Sequence, residues 1–92
     1  MEVNFYATTR MVVGQKTVDI PLCEGATVRK LVEAIIEKFP QLGPMLLNDE
    51  GELSPRVNVF VNGRGAPYLR EQLDTPLAAS DQIDVFPALA GG

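Results

Sequence analysis

The sequence predicts a small α+β domain in which a mixed sheet packs against one main helix. Segments near both ends of the chain alternate apolar and polar residues, as half-buried strands do. A segment between them carries apolar residues at helical spacing. The chain has 92 residues, of which 46% are hydrophobic and 22% are charged. These values fit a single domain with one modest core.

The first two strands are predicted close together. Glu2–Thr8 alternates, with Val3 on the core face and Tyr6 on the opposite face. Lys16–Leu22 alternates in the same way. Gly14 lies between the two segments, and glycine accepts the positive φ that tight hairpin turns require. The opening of the chain is therefore predicted to be a hairpin.

The main helix is predicted over residues 28–39. Thr27 is a suitable N-cap, and Pro40 ends the helix because the residue before a proline avoids the α region. The apolar residues of this segment are Val28, Leu31, Val32, Ile35, Ile36 and Phe39. They fall on one stripe, which is typical of a helix packed on a core.

Further strands are predicted after the helix. Arg56–Val61 places alternate valines toward the core and Phe60 away from it, and Asn62-Gly63 then marks a turn. Ala66–Leu69 is predicted to be a short strand, and Ile83–Phe86 the last strand. When the long strands after the helix pair beside the first strand, the arrangement is a β-grasp.

The alternation stops after Phe86. We therefore divide the chain into a β-grasp domain at residues 1–86 and a flexible C-terminal tail at residues 87–92. Pro87 cannot donate a hydrogen bond to a sheet, and the two final glycines have no side chain to pack. An end without Cβ atoms is able to thread a narrow channel into the active site of another protein.

The histidine and cysteine content limits which catalytic and metal-binding sites the chain is able to form. The sequence has no His, and Cys23 is its one Cys. This excludes an intrachain disulfide, a Cys/His zinc site and a Cys–His or Ser–His nucleophile pair. A lone Cys suits a reducing compartment, so we expect a cytoplasmic protein in which Cys23 is a small packed thiol.

The net charge and the hydropathy of the chain argue against a nucleic-acid-binding protein and against a membrane protein. The net charge of −4 disfavours binding to nucleic acid or to an anionic membrane, because both need a basic surface. No apolar run approaches the roughly 20 residues of a membrane span, and we expect no signal peptide. Asp49, Glu50 and Glu52 share one turn, but their spacing fits no calcium loop, so we predict no metal site.

Four parts of the chain together resemble a known family. They are Val3–Ala7 with Arg10, Gly25–Val28, Val59–Gly63, and the end Asp81–Gly92. The end is the most specific part, since it joins Phe-Pro to a short apolar link and a Gly-Gly terminus. The chain resembles the MoaD/ThiS family of ubiquitin-like sulfur carriers over essentially its whole length. The longer Asn48–Pro55 and Gly65–Pro76 segments resemble those of the longer archaeal-like variants.

The resemblance implies a function for the tail. An adenylating enzyme of the ubiquitin-activating type would join the Gly92 carboxylate to AMP, using ATP and magnesium that bind the enzyme and not this chain. A sulfurtransferase would then supply the sulfur that converts Gly92 to a thiocarboxylate. Ala90 and Gly91 belong to the tail that enters the partner. The acceptor implied first is the molybdopterin synthase large subunit, with this chain as its small subunit.

Three aromatic residues are predicted on the outward face of the sheet: Tyr6, Phe60 and Phe86. An open sheet normally shows polar residues there, so we predict a patch for binding a partner. The resemblance agrees, because the family docks the matching face on the activating enzyme and on the larger synthase subunit. The alternative is that the three rings merely cover one another.

Other functions stay open. The chain is also compatible with a sulfur carrier for cysteine biosynthesis, which Ala88-Leu89-Ala90 resembles. It is compatible with a protein modifier whose Gly92 forms an isopeptide bond to a lysine. A non-catalytic ubiquitin-like interaction module with an inert tail is the alternative of another class.

Overall fold

A computed structural model describes residues 1–22, 25–54 and 57–87 of the chain. Its strands are β1 (Glu2–Phe5), β2 (Thr17–Asp19), β3 (Val57–Val61), β4 (Arg64–Gly65) and β5 (Ile83–Pro87). Its α-helices are α1 (Ala7–Val13), α2 (Val28–Lys38) and α3 (Gly43–Leu46). Short 3₁₀ helices span Pro40–Leu42, Ala66–Tyr68 and Gln72–Asp74. The described strands form one sheet in the order β2-β1-β5-β3-β4.

The sheet is mixed because β1 and β5, from opposite ends of the chain, pair in parallel. Val3 of β1 lies opposite Ile83 of β5 and, on the other side, opposite Val18 of the antiparallel β2. Strand β5 pairs in turn with the antiparallel β3, where Val85 lies opposite Val59. The predicted mixed sheet, with the chain ends side by side, is confirmed.

Helix α2 covers one face of this sheet and encloses the core. Its N-cap is Thr27, whose Oγ1 accepts a hydrogen bond from the backbone N–H of Lys30 at 3.3 Å. It ends at Lys38, with Phe39 as its C-cap, so the helix stops before Pro40 as predicted. The inward residues of β3, namely Val57, Val59 and Val61, are buried, which confirms their predicted orientation.

The segment after β1 differs from the prediction. Residues 7–13 form α1, whereas the sequence predicted the end of a strand and a loop. Thr9 causes the change: its Oγ1 accepts from the Tyr6 N–H at 3.2 Å and donates to the Tyr6 carbonyl at 2.6 Å. Ala7 follows with a φ of 52°, so the chain turns away from the sheet. Gly14, predicted to form a hairpin turn, caps the helix at a φ of 83°.

Three smaller predictions also need correction. The second strand is shorter than predicted, since β2 spans Thr17–Asp19. Ala66–Leu69 is not a strand, because the Asn62-Gly63 turn already places β4 at Arg64–Gly65. The last strand is one residue longer than the predicted Ile83–Phe86, because Pro87 ends β5 opposite Val57.

Several predicted features lie outside the described residues. They are Cys23, the start of the predicted third strand at Arg56, and tail residues 88–92, which include Ala90, Gly91 and Gly92. The predictions made for these residues therefore stay predictions.

We expect Leu31→Ala to lower the free energy of unfolding by roughly 2–4 kcal/mol, because it leaves a cavity in the core. Leu31 is fully buried on the sheet-facing side of α2. Chemical denaturation measures the change. Glu37→Ala, at an exposed position of the same helix, is the control and should stay within about 0.5 kcal/mol. Equal losses in the two variants would contradict the assigned buried face.

Candidate protein interface

The three aromatic residues predicted on the outward face form one cluster at an edge of the sheet. Since β1 and β5 are parallel, their carboxyl ends reach the same edge, with Tyr6 directly after β1 and Phe86 near the end of β5. The rings of Tyr6 and Phe86 are stacked, with centroids 4.2 Å apart and planes 8° apart. Phe60 on β3 meets Phe86 edge-on at 5.4 Å. All three are half-buried, so part of each ring faces solvent.

Arg10 extends the cluster beyond Tyr6. Its guanidinium carbon lies 5.5 Å from the centroid of the Tyr6 ring, a cation–π distance. Its Nε donates a hydrogen bond to the Phe5 carbonyl at 2.9 Å, which fixes the side chain against the end of β1. Helix α1 makes both contacts possible, because it places Arg10 one turn after Tyr6. The sequence alone singled out Arg10 only as part of a family resemblance.

A buried carboxylate anchors the other side of Tyr6. Asp84 of β5 is 7% exposed and accepts hydrogen bonds from three neutral donors. Asn4 Nδ2 donates to Oδ1 at 3.0 Å, the Tyr6 hydroxyl donates to the same oxygen at 3.2 Å, and Gln82 Nε2 donates to Oδ2 at 3.0 Å. Burying a carboxylate is costly unless it is hydrogen-bonded. The network therefore stabilises Asp84 and fixes the phenol of Tyr6.

The surroundings of Tyr6 raise the pKa of its phenol. Desolvation, the negative charge of Asp84 and the hydrogen bond to that carboxylate together raise the pKa of Tyr6 above its ordinary value of 10.0, while Arg10 acts in the opposite direction. The neutral phenol is thus the favoured form in the folded protein. It holds the ring in place by its hydroxyl and leaves the stacked surface uncharged.

The described residues show neither a metal centre nor a membrane span. In the part of the chain that the structure describes, no three His, Cys, Asp or Glu residues are grouped as a metal site would require. Hydrogen bonds within the acidic turn Asn48–Glu52 stabilise it: Asn48 Oδ1 accepts from the backbone N–H groups of Glu50 and Glu52 at 2.9 and 3.0 Å. Nor is any helix among residues 1–22, 25–54 and 57–87 long and apolar enough to cross a membrane.

Comparison with known sequences identifies relatives along the whole chain. The sequence matches the ThiS family over residues 3–92. It is 38% identical to small archaeal modifier protein 3 of Haloferax volcanii over 92 residues, which cover 100% of this chain and 98% of the relative. It is 35% identical over 69 residues to a putative sulfur carrier protein of Archaeoglobus fulgidus, covering 75% and 77% of the two chains.

Solved structures show the same architecture. SAMP1 from Haloferax volcanii superposes with a TM-score of 0.84 at 32% identity, covering 99% of this chain and 97% of the other. A putative molybdopterin converting factor subunit 1 from Pyrococcus furiosus gives a TM-score of 0.76 at 32% identity, with 96% and 95% coverage. The protein is thus a ubiquitin-like β-grasp protein. It belongs to the ThiS family, which groups ubiquitin-like sulfur carriers and modifiers.

We expect the Tyr6 phenol to titrate with a midpoint above 10.0. The chain has two tyrosines, so Tyr68→Phe leaves Tyr6 as the only one, and tyrosinate absorbance in an alkaline titration reports it alone. The pKa of Tyr6 is higher in the folded protein than in the unfolded chain. The neutral phenol therefore stabilises the folded state below pH 10, and this contribution is lost as the pH rises through the raised pKa. Adding Asp84→Asn should lower the midpoint. An unchanged midpoint would contradict the role given to Asp84.

Proposed function

We propose that this chain is a sulfur carrier whose Gly92 carboxylate is adenylated and then converted to a thiocarboxylate. The observation that carries the proposal is the family match, which extends through the Gly91-Gly92 end of the sequence. An α-carboxyl group has an ordinary pKa of about 3.5 and is an anion at neutral pH, so it is a poor electrophile. Activation is needed before any sulfur nucleophile attacks it.

The activation proceeds in two steps. One carboxylate oxygen of Gly92 attacks the α-phosphate of ATP and pyrophosphate leaves, which gives an acyl adenylate. Hydrosulfide, which a thiol reductant releases from a persulfide on the sulfurtransferase, then attacks the acyl carbon, and AMP leaves to give the thiocarboxylate. The adenylating enzyme of the ubiquitin-activating type holds ATP and magnesium. This chain supplies the tail and the surface that binds the enzyme, for which Tyr6, Phe60 and Phe86 are the proposed contacts.

The first candidate acceptor is the large subunit of molybdopterin synthase, with this chain as its small subunit. The structural similarity to the Pyrococcus furiosus protein supports this assignment. In this role, the thiocarboxylate at Gly92 donates its sulfur to a pterin precursor held by the large subunit. Water then cleaves the thioester formed between Gly92 and the precursor, which leaves the sulfur on the precursor and regenerates the carboxylate for another cycle. Transfer to a cysteine-forming synthase would use the same carrier chemistry with a different acceptor.

The second candidate is protein modification, which the similarity to small archaeal modifier protein 3 and to SAMP1 supports. Here the amine of a target lysine attacks the activated carbonyl of Gly92. AMP leaves, and an isopeptide bond joins Gly92 to the lysine. The two candidates share the adenylation step and differ in the nucleophile, which is sulfur in one case and nitrogen in the other.

Incubation with the cognate adenylating enzyme, ATP, magnesium and a sulfur donor should replace one oxygen of Gly92 by sulfur. Intact mass spectrometry detects the replacement, and fragmentation assigns it to the C-terminal peptide. Deleting Gly92 should abolish the product without lowering the melting temperature, since the deleted residue follows the last strand. An unmodified chain after incubation with an active cognate enzyme would refute the carrier role. Lysine conjugates of the wild-type chain in cells would favour the modifier.

Phe86→Ala should weaken binding to the activating enzyme at least about tenfold, which corresponds to roughly 1.4 kcal/mol. Phe86 touches both other rings of the cluster, so its loss removes the centre of the patch. Isothermal titration calorimetry measures the affinity. Phe60→Ser tests the same face on β3, with thermal melting as the control for folding. Native melting together with unchanged affinity in both variants would show that the rings only cover one another.

A further inference from the structure

Strand β2 forms one outer edge of the sheet, and within the described part of the chain no strand pairs with its far side. The Phe5 N–H of β1 donates to the Lys16 carbonyl at 2.7 Å. Bonded positions alternate along an antiparallel strand, so Val18 also directs its backbone groups toward β1. Thr17 and Asp19 direct theirs the other way. Two N–H groups and two carbonyl groups therefore face the free edge.

A hollow of about 380 Å³ adjoins this edge, between the end of β2 and helix α2. Ile20 and Pro21, which directly follow β2, line one side, and Ala34, Glu37 and Lys38 of α2 line the other. Ile20 belongs to the core and Ala34 is half-buried, so the hollow has an apolar base. Small-molecule sites usually span roughly 300–1,000 Å³. This hollow lies at the small end of that range, which suits the side chains of a single peptide segment.

The groove is basic at the end where β2 begins. Lys16 lies opposite Phe5. The Phe5 ring meets the Phe39 ring with centroids 6.1 Å apart, and Phe39 directly follows Lys38. Both lysines are exposed, and neither forms an ion pair within residues 1–22, 25–54 and 57–87. Glu37 is the carboxylate of the hollow, so two positive charges and one negative charge lie at this end, although the whole chain carries −4.

We propose that the free edge of β2 and the adjoining hollow, together called the β2 groove, bind an extended segment of a partner protein. The segment adds to the sheet as an antiparallel strand, and its backbone pairs with the free groups of Thr17 and Asp19. Its alternate side chains then lie opposite Ile20, Val18 and Lys16, on the side of the sheet that α2 covers. Aliphatic residues fit the first two positions. An acidic residue fits the third, because opposite charges across a strand pair attract.

The residues of β2 are also compatible with an edge that is merely protected. Lysine on an edge strand and a proline near it both discourage unwanted strand pairing, and the chain has Lys16 and Pro21 there. The apolar hollow favours a binding site, because protection of an edge does not require one. Pro21 also lies beyond β2, so it leaves the backbone groups of Thr17 and Asp19 free. The opposite edge strand, β4, has two residues and cannot present the same pattern.

The β2 groove is separate from the parts of the chain used in the proposed function. It opens on the side of the sheet that α2 covers, whereas the aromatic cluster lies on the outward face. It includes neither Gly92 nor the start of the tail at Pro87. A segment bound in the groove therefore leaves the tail accessible to an adenylating enzyme. The groove would allow a partner to recruit this chain without a covalent bond.

The probe for the backbone pairing is a capped synthetic peptide in the order valine, threonine, valine, threonine, aspartate. NMR of the isotope-labelled chain should show shifted amide resonances and slower hydrogen exchange for Thr17 and Asp19, while Arg64 on the opposite edge is unaffected. Methylating both threonine nitrogens of the probe should abolish binding, because these N–H groups face β2. Methylating the middle valine nitrogen, which faces away, should preserve it. Unshifted Thr17 and Asp19 amides at millimolar probe would refute the site.

Two variants of the chain test the side-chain contacts. Ala34→Gln fills the hollow from α2 and should weaken probe binding at least about fivefold. Lys16→Gln removes the charge opposite the aspartate and should weaken binding about threefold at low salt, and less at high salt. Arg64→Gln removes the same charge from the opposite edge strand and should bind as the wild type does. Thermal melting checks folding, and the methylated probes need no variant. Wild-type affinity in both Ala34→Gln and Lys16→Gln would refute the assigned contacts.

The β2 groove and the proposed function fail separately. Probe binding is measured without enzyme or ATP, so a chain whose Gly92 is never adenylated refutes the carrier role and still tests the groove. A second copy of this chain is the competing occupant of the free edge. Amide shifts at Thr17 and Asp19 that follow the protein concentration without any probe would reveal it. That result would overturn the partner segment.

Discussion

The parallel pairing of β1 with β5 is the constraint on which the rest of the structure depends. It joins residues that are about 80 positions apart in the chain, such as Val3 and Ile83. Such a pairing needs a crossover, and the chain supplies it with α2 on one face of the sheet. The same pairing places the end of the first strand beside the end of the last. The positions of the core, of the aromatic cluster and of Pro87, where the predicted tail begins, therefore all depend on this one strand pairing.

The register of β5 divides the sheet into two chemically distinct faces. Ile83 and Val85 point into the core, whereas Asp84 and Phe86 point outward. A slip of one residue would exchange the two faces, which would bury Phe86 in the core and expose Val85. The bonds from Asn4, Tyr6 and Gln82 to Asp84 also depend on this register. The outward face is thus fixed as strictly as the core, although it contributes less apolar burial.

Sequence reasoning succeeded where a pattern was long or strongly periodic. The stripe on α2 and the alternating valines of β3 each repeat often enough to define a buried face. Helix α1 was missed because it is short and its signal is tertiary. Thr9 and Val13, four residues apart, are its two buried positions, and the turn at Ala7 depends on the Tyr6–Thr9 hydrogen bonds.

The candidate interface, too, was predictable from the sequence only where it follows the alternation of the strands. Alternation was sufficient to place Tyr6, Phe60 and Phe86 on one face. It could not show that Asp84 is buried among neutral donors, because two of them, Asn4 and Tyr6, come from the opposite end of the chain. Nor could it place Arg10 beside the Tyr6 ring, since Arg10 lies outside the strands, on a helix that the alternation did not predict.

The central position of β5 has a mechanical consequence. Ladders of hydrogen bonds hold this strand on both sides, to β1 as far as Val85 and to β3 as far as Pro87. A force applied to the chain after Pro87 acts along the strand, so it loads both ladders in shear, with many hydrogen bonds sharing the load at once. An edge strand pulled sideways would instead open one bond at a time. A partner that held the chain beyond Pro87 would thus pull against a strand of the sheet that is paired on both sides, and the domain would resist extraction.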